Sequence, residues 1–155
     1  LTGKQGTVQQ SLEQSTGTRL RIRGTEVEIE GEPEGVLTAA EIVKAIGRGF
    51  APETAMMLLK EGVQLTVISL EGETDKTLRR LMSRVIGRRG RAKQTIERLT
   101  GAALCVQGKT VSIVGGEVGL SRATGAVEDL LAGRTHAFVF AKLEKMKRLA
   151  IEGGL

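Results

Sequence analysis

The chain contains one segment twice, and this repeat limits the folds that it can adopt. When the sequence is shifted by 84 positions, residues 3–31 align with residues 87–115 without a gap, and 11 of the 29 positions are identical. About two identities are expected by chance for an ordinary composition. The identical pairs are Gly3 with Gly87, Gly6 with Gly90, Gln10 with Gln94, Glu13 with Glu97, Thr16 with Thr100, Gly17 with Gly101, Leu20 with Leu104, Gly24 with Gly108, Val27 with Val111, Ile29 with Ile113 and Gly31 with Gly115. The chain is therefore predicted to hold two copies of one structural unit.

Both copies show the same order of predicted elements. A GxxG sequence precedes a helix, which we expect at about residues 7–15 and 91–99. In the second copy Ala92, Ile96 and Leu99 recur at the i, i+4, i+7 spacing of the apolar face of a helix. A Thr-Gly pair ends the helix in each copy, with the glycine as the C-terminal cap. Two short strands and a longer helix are predicted to follow.

The longer helix that closes each copy carries an apolar stripe. We expect the stripe to be Val36, Ala39, Ala40, Val43 and Ile46 in the first copy, and Leu120, Ala123, Val127, Leu130 and Leu131 in the second. The second copy is also preceded by a predicted strand at 65–68 and a predicted helix at 78–85. The first copy lacks both, because the sequence begins two residues before Gly3. We expect a strand and a helix to precede Leu1.

A charged hairpin is predicted in the first copy. Arginines alternate with apolar residues before Gly24-Thr25, a two-residue turn of the glycine-first type, and glutamates alternate with apolar residues after it. Opposite-charge pairs across a hairpin each contribute about 0.2–1 kcal/mol. We therefore interpret the arginines as a solvated sheet face and not as an RNA surface. The register pairs Arg19 with Glu30, Arg21 with Glu28 and Arg23 with Glu26, and in the second copy Cys105 with Ser112.

The GxxG of the second copy holds two cations. Gly87-Arg88-Arg89-Gly90 places two arginines between residues without side chains, directly before a helix N-terminus, which favours anions. The net charge of +5 and the sequence pI of about 9.7 favour a polyanionic partner. Considered alone, GxxG is explained equally well by a surface turn. The chain has three Phe and no Trp or Tyr, which argues against modules that stack bases on sheet aromatics.

No set of side chains indicates an enzyme or a metal site. His136 and Cys105 are the single histidine and cysteine, so we interpret His136 as a cap or packing residue and Cys105 as a buried thiol in a reducing compartment. Gly108-Lys109-Thr110 resembles the end of a phosphate loop but lies at a predicted strand turn. Gly47-Arg48-Gly49 lacks the third glycine of a dinucleotide fingerprint. We expect no catalytic residue, metal or cofactor, and no apolar run is long enough to span a membrane.

The order strand–helix–GxxG–helix–strand–strand–helix is that of a type I KH domain, and the chain resembles this family. Residues 85–90, Val-Ile-Gly-Arg-Arg-Gly, match the KH loop. Residues 1–6, Leu-Thr-Gly-Lys-Gln-Gly, match it except that Thr2 replaces the usual isoleucine. The segments 45–52 and 133–140 are similar to segments of tandem-KH ribosome-assembly factors, the archaeal counterparts of the Krr, Dim and partner-of-Nob proteins.

The resemblance implies an α+β fold with two type I KH domains, each β-α-α-β-β-α, packed together. The first domain, residues 1–62, would lack its N-terminal strand and helix and would include a linker helix. The second domain, residues 63–155, would carry a C-terminal helical extension. In this family the GxxG loop clamps the backbone of about four nucleotides. The implied RNA-binding residues are Ile86, Gly87, Arg88, Arg89, Gly90, Arg91 and Lys93 in the second copy and Gly3, Lys4, Gln5 and Gly6 in the first.

The resemblance also implies a function. It is that of a non-catalytic, cytoplasmic protein that binds single-stranded RNA near the 3′ end of small-subunit, 16S-type rRNA during ribosome assembly and pre-rRNA processing. The implied protein partners are the maturation endonuclease, the rRNA adenine dimethyltransferase and an archaeal initiation-factor subunit. Two alternatives stay open: a general KH protein for messenger or other RNA, and a protein-interaction scaffold with weak RNA affinity. The apolar linker segment that holds Met56, Met57, Leu58 and Leu59 favours the scaffold, whereas two GxxG loops favour RNA binding.

Overall fold

The computed structural model describes the backbone of residues 4–152 and the side chains of residues 6–151. The predicted site residue Gly3 lies outside the described residues. The chain divides into two compact units, Leu1–Val63 and Gln64–Leu155. Each unit combines helices with one small antiparallel sheet, so the predicted α+β class is confirmed.

The first unit builds its helices around a two-stranded hairpin. Its elements are α1 (Lys4–Thr16), β1 (Arg19–Arg23), β2 (Glu26–Glu30), α2 (Pro33–Gly47), α3 (Pro52–Ala55) and a 3₁₀ turn (Met56–Leu59). The hairpin has the predicted register, with Arg19 facing Glu30, Arg21 facing Glu28 and Arg23 facing Glu26. All six of these side chains are exposed, while Leu12, Leu20 and Ile42 are buried. The charged face of the hairpin is therefore a solvated face, as predicted.

The second unit combines four α-helices with a three-stranded antiparallel sheet. Its elements are β3 (Gln64–Ser69), α4 (Asp75–Ile86), a 3₁₀ turn (Arg88–Gly90), α5 (Arg91–Thr100), β4 (Ala103–Gln107), β5 (Thr110–Gly115), α6 (Glu117–Leu131) and α7 (His136–Glu152). The strand order is β3-β5-β4, so β4 has one free edge. Side chains of the sheet and of all four helices share one core, which includes Leu81, Ile96, Ile113, Val127 and Val139.

The sequence repeat is also a repeat of structure. Adding 84 to the bounds of β1 and α2 gives the bounds of β4 and α6. Thr16 Oγ1 donates to the Leu12 carbonyl at 2.7 Å, and the equivalent Thr100 Oγ1 donates to the Ile96 carbonyl at the same distance. A glycine at the start of the longer helix, Gly119 in α6, approaches the Thr100 carbonyl in the second unit. Its first-unit equivalent approaches the Thr16 carbonyl in the same way.

Two details of the first unit differ from the prediction. Helix α1 begins at Lys4, not at about residue 7. In α2 the predicted stripe residue Ala40 is exposed, while Ile42 and Ala45 are fully buried. The buried face of α2 is broader than the predicted stripe because α1, β2, α3 and the 3₁₀ turn all pack against this helix. In the second unit the stripe is confirmed at four positions, and Leu131 is half-buried.

The apolar linker forms part of the first unit. Pro52 occupies the first turn of α3, where its fixed φ suits a helix start. The helix lasts for one turn, and the Met56–Leu59 segment continues as a 3₁₀ turn. Ala55 and Leu58 are buried, and Leu59 is 39% exposed. The apolar side chains of this linker are thus mostly used in packing.

The close approach of α6 to the end of α5 can be tested with two glycines in the same helix. We expect Gly119→Ala to lower the free energy of unfolding by about 1–3 kcal/mol, because a Cβ there would lie 2.5 Å from the Thr100 carbonyl oxygen. Gly125→Ala is the control, since a Cβ there meets nothing within 4 Å. Alanine should stabilise α6 at that position by up to about 1 kcal/mol. Urea unfolding followed by circular dichroism measures both, and equal midpoints would contradict the close packing.

Candidate nucleic-acid interface

The GxxG of the second unit forms a tight turn between two helices. Helix α4 ends at Ile86, and Gly87 (φ 75°) and Gly90 (φ 73°) both have left-handed backbone. Arg89, at φ 58°, is the single non-glycine residue with positive φ in the described part of the chain. A non-glycine residue in this region is strained. The packing around the turn must therefore impose this conformation, and both arginines of the turn are exposed.

Gly87 is required by contact as well as by conformation. A Cβ at this position would lie 2.5 Å from the Cβ of Ala92 and 2.7 Å from its backbone nitrogen. Ala92 is itself buried in the first turn of α5. The loop therefore folds back directly onto the helix that it precedes.

The predicted cations of the second copy lie together around this turn. Arg88, Arg89 and Arg91 are exposed, whereas Lys93 is half-buried and its Nζ lies 3.5 Å from Glu97 Oε1. Ile86 is half-buried beside them. No described side chain caps the N-terminus of α5, and the Arg91 N–H donates to the Arg88 carbonyl within the turn. The ligands that the arrangement offers to a phosphate are therefore the exposed guanidinium groups of Arg88, Arg89 and Arg91.

Further cations on α4 were missed in the sequence analysis. Lys76, Arg79 and Arg80 are exposed and lie on the solvent face of the helix that leads into the loop. Their spacing, at i, i+3 and i+4, is the signal that could have identified them. The positive surface of the loop is thereby extended along α4.

Arg84 has a different role, because it fixes α4 in place. Its Nε donates to the Leu130 carbonyl at 2.9 Å, and its terminal nitrogen donates to the Arg134 carbonyl. The Arg84 carbonyl is in turn 2.8 Å from His136 Nε2, and the His136 ring packs on Phe140 with centroids 5.8 Å apart. The interpretation of His136 as a packing residue is confirmed.

Helix α5 lies beside the free edge of β4, and we call the region between this helix and this edge the second cleft. The Glu97 side chain occupies one main-chain group of this edge: its Oε2 accepts a hydrogen bond from the Leu104 N–H at 3.0 Å. Cys105, the next residue, faces Ser112 across the sheet as predicted, but it is half-buried and not buried. Burial raises the pKa of the Cys105 thiol above its ordinary value, the charge of Lys93 opposes this, and Glu97 adds to it. The thiol is therefore protonated at neutral pH.

The first copy presents its GxxG residues differently. Lys4 to Gly6 lie in the first turn of α1 and do not form a loop like that of the second unit. The side chains of Lys4 and Gln5 lie outside the described ones. Their role in RNA binding, with that of Gly3 and Gly6, stays a prediction.

The described residues also bear on metal binding and on membrane insertion. No group of three or more His, Cys, Asp or Glu side chains there could hold a metal ion. Within the same residues, none of the helices has the length and apolar character that crossing a membrane requires.

Comparison with known proteins shows which protein family the chain resembles in sequence and structure. Residues 63–148 match the model of the eukaryotic type KH-domain (KH-domain type I). Over 98% of its length the chain is 42% identical to a KH domain-containing protein of Methanocaldococcus jannaschii, of which it covers 72%. It is 31% identical to the RNA-binding protein pno1 of Dictyostelium discoideum over 72% of the chain, and it spans about half (48%) of that relative. A chain of the solved a/eIF2alpha–aDim2p–rRNA complex from Pyrococcus horikoshii OT3 has a TM-score of 0.85 and 39% identity, covering 94% of this chain and 85% of that one.

The two glycines of the loop should respond differently to substitution. Both have positive φ, so an alanine is strained at either position, but only Gly87 also lacks space for a Cβ. We expect Gly87→Ala to lower the free energy of unfolding by about 1–3 kcal/mol more than Gly90→Ala does. Thermal unfolding of the two variants measures the difference. The proposed contact with Ala92 fails if Gly90→Ala is the more destabilising change.

Proposed function

The chain belongs to the eukaryotic-type (type I) KH-domain family, and from this membership we propose that it binds single-stranded RNA during ribosome assembly. The observation that carries the proposal is the turn of residues 87–90. It presents Arg88 and Arg89 to solvent beside the uncapped N-terminus of α5, and the second cleft follows directly. In KH domains such a loop clamps the nucleic-acid backbone.

We further propose that the bound RNA is the 3′ region of small-subunit rRNA. The relatives support this finer assignment: one is named an RNA-binding protein pno1, and a similar chain occurs in a complex with rRNA and a/eIF2alpha. By the same reasoning the protein partners include an archaeal initiation-factor subunit. The maturation endonuclease and the adenine dimethyltransferase complete the proposed set, and the site of action is the cytoplasm.

We propose that the first unit, residues 1–62, is a second KH domain that is less able to bind RNA. The shared bounds under the shift of 84 support the common fold. The helical start of α1 supports the difference in binding, because residues 4–6 lie in a helix and not in a tight turn like that of residues 87–90. The second KH domain then comprises residues 63–155, with α7 as its C-terminal extension.

A scaffold with weak RNA affinity is the second candidate. It draws support from a narrow apolar cavity of about 90 Å³ between α6 and α7, lined by Val139, Leu143 and Met146 among others. The linker supports it less, since Ala55 and Leu58 are already buried. RNA binding is proposed as the main function because of the cationic turn of residues 87–90. A protein-interaction scaffold would not require such a turn.

The proposal predicts salt-dependent binding of single strands. Arg88, Arg89, Arg91 and Lys93 can neutralise up to four phosphates, and each contact on a single strand contributes about −0.7 to the slope of log K against log salt. We expect a slope between about −2 and −3 for a short RNA. Fluorescence anisotropy at several salt concentrations measures it, with duplex RNA of the same sequence as competitor. A preference for the duplex would contradict the proposed function.

The second loop should dominate the affinity. Replacing Arg88 and Arg89 by Asp inverts two exposed charges beside the uncapped helix, and we expect RNA affinity to fall at least about tenfold. The matched control replaces Lys4 and Gln5 by Asp, which inverts one charge and adds one negative charge at the equivalent positions of the first unit. A smaller loss, within about threefold, is expected there. If the change in the first unit weakens binding more, the ranking of the two units is wrong.

A further inference from the structure

The two units differ at one repeat position that faces the cleft between helix and strand edge. In the first unit this position is Gln9, in α1, and its Nε2 donates to the Leu20 carbonyl at 3.1 Å. The Leu20 N–H donates to Glu13 Oε2 at 3.4 Å. Both main-chain groups that Leu20 turns toward the free edge of β1 are therefore occupied by side chains of α1. The cleft between α1 and β1, the first cleft, is closed from within.

The second cleft has the same glutamate contact with the strand edge, but it lacks the glutamine contact with the carbonyl. Glu97 accepts from the Leu104 N–H at 3.0 Å, as Glu13 does from Leu20. On an edge strand the N–H and C=O of one residue point to the same side, so the Leu104 carbonyl also faces the cleft. The residue equivalent to Gln9 is Lys93, and its Nζ pairs with Glu97. No described residue donates to the Leu104 carbonyl.

We infer that this single position, Gln9 in one unit and Lys93 in the other, determines which cleft admits RNA. Glutamine bridges helix and strand edge and shuts the cleft, whereas lysine leaves the carbonyl open and adds a cation 33% exposed to solvent. RNA entering the second cleft meets an unpaired acceptor and a lysine that can exchange its glutamate for a phosphate. RNA entering the first would have to break the Gln9 hydrogen bond in addition to the glutamate bond that both clefts share. The inference rests on the proposed RNA binding and names a specificity-determining residue for it.

The test exchanges the residues, because the partner glutamate is present in both units. Lys93→Gln gives the second cleft the residue of the first, and Lys93→Ala is the matched control that removes the cation without supplying an amide. The probe is a fluorescein-labelled pool of random single-stranded RNA octamers. We expect Lys93→Ala to reduce the salt slope by about 0.7. We expect Lys93→Gln to reduce it equally and to weaken binding about threefold or more beyond the alanine variant, independently of salt.

A second readout reports closure without RNA. The side-chain amide of Gln9 is hydrogen-bonded, so its protons should exchange slowly with water in an NMR experiment. In the Lys93→Gln variant the new amide should behave in the same way, and in a Gln9→Lys variant the slow signal of residue 9 should disappear. Thermal unfolding verifies that the variants stay folded.

The outcomes separate the inference from the function on which it rests. Weaker binding by Lys93→Gln than by Lys93→Ala, with a protected amide, supports the inference. Equal binding by the two variants, or an unprotected amide at residue 93, overturns it while the RNA-binding function stands. If the unmodified protein does not bind the octamer pool at low salt, the proposed function is overturned, and the inference with it.

Discussion

Helix α4 turns into α5 within a few residues, and this turn requires that Gly87 has no side chain. The residue has a left-handed backbone and lies against Ala92, so the chain reverses with the loop pressed onto the helix that follows. Arg84 holds the other side by donating to the Leu130 carbonyl in α6 and to the Arg134 carbonyl that follows this helix. The loop is thus fixed by contacts on both sides, and Arg88 and Arg89 are exposed to solvent. The exposure of these two cations follows from packing that does not involve them.

The two units show how one backbone frame can carry two surface chemistries. The positions that define the frame agree: the threonine that ends the first helix of the repeat, the glycine that approaches its carbonyl, and the glutamate that caps the strand edge. The residues that face outward diverge. Gln9 and Lys93 occupy equivalent sites, and the exposed Arg21–Glu28 pair of the first hairpin corresponds to the half-buried Cys105 opposite the buried Ser112 in the second. The contacts made by the shared threonine, glycine and glutamate limit which residues fit at those three positions. They place no such limit on positions that make none of these contacts.

Much of the fold could be predicted from the sequence, because the pattern of each repeated element can be recognised in two copies. The range of α5, the register of both hairpins and the glycine-capped helix end at Gly101 are confirmed. The relationship to KH proteins of ribosome assembly is confirmed as well. The burial of Ile42 and Ala45 could not be predicted, since it depends on how α3 packs against α2. The start of α1 at Lys4 is likewise decided by which elements surround it, which local sequence does not specify.

The candidate site was only partly predictable, because the hydrogen-bond partners of its polar side chains depend on the tertiary structure. Sequence identifies Lys93 as a cation near a loop, but not that its ammonium group pairs with Glu97, nor that Gln9 bridges to a strand edge. Both depend on the distance between helix and strand. With three Phe and no Tyr or Trp, the chain has few aromatic rings for base stacking, so contact with RNA must come from charge, main-chain groups and the shape of the cleft. In such a surface a side chain that occupies a main-chain carbonyl removes one of few available ligands. The polar contacts within each cleft therefore weigh as heavily on RNA binding as the count of exposed arginines does.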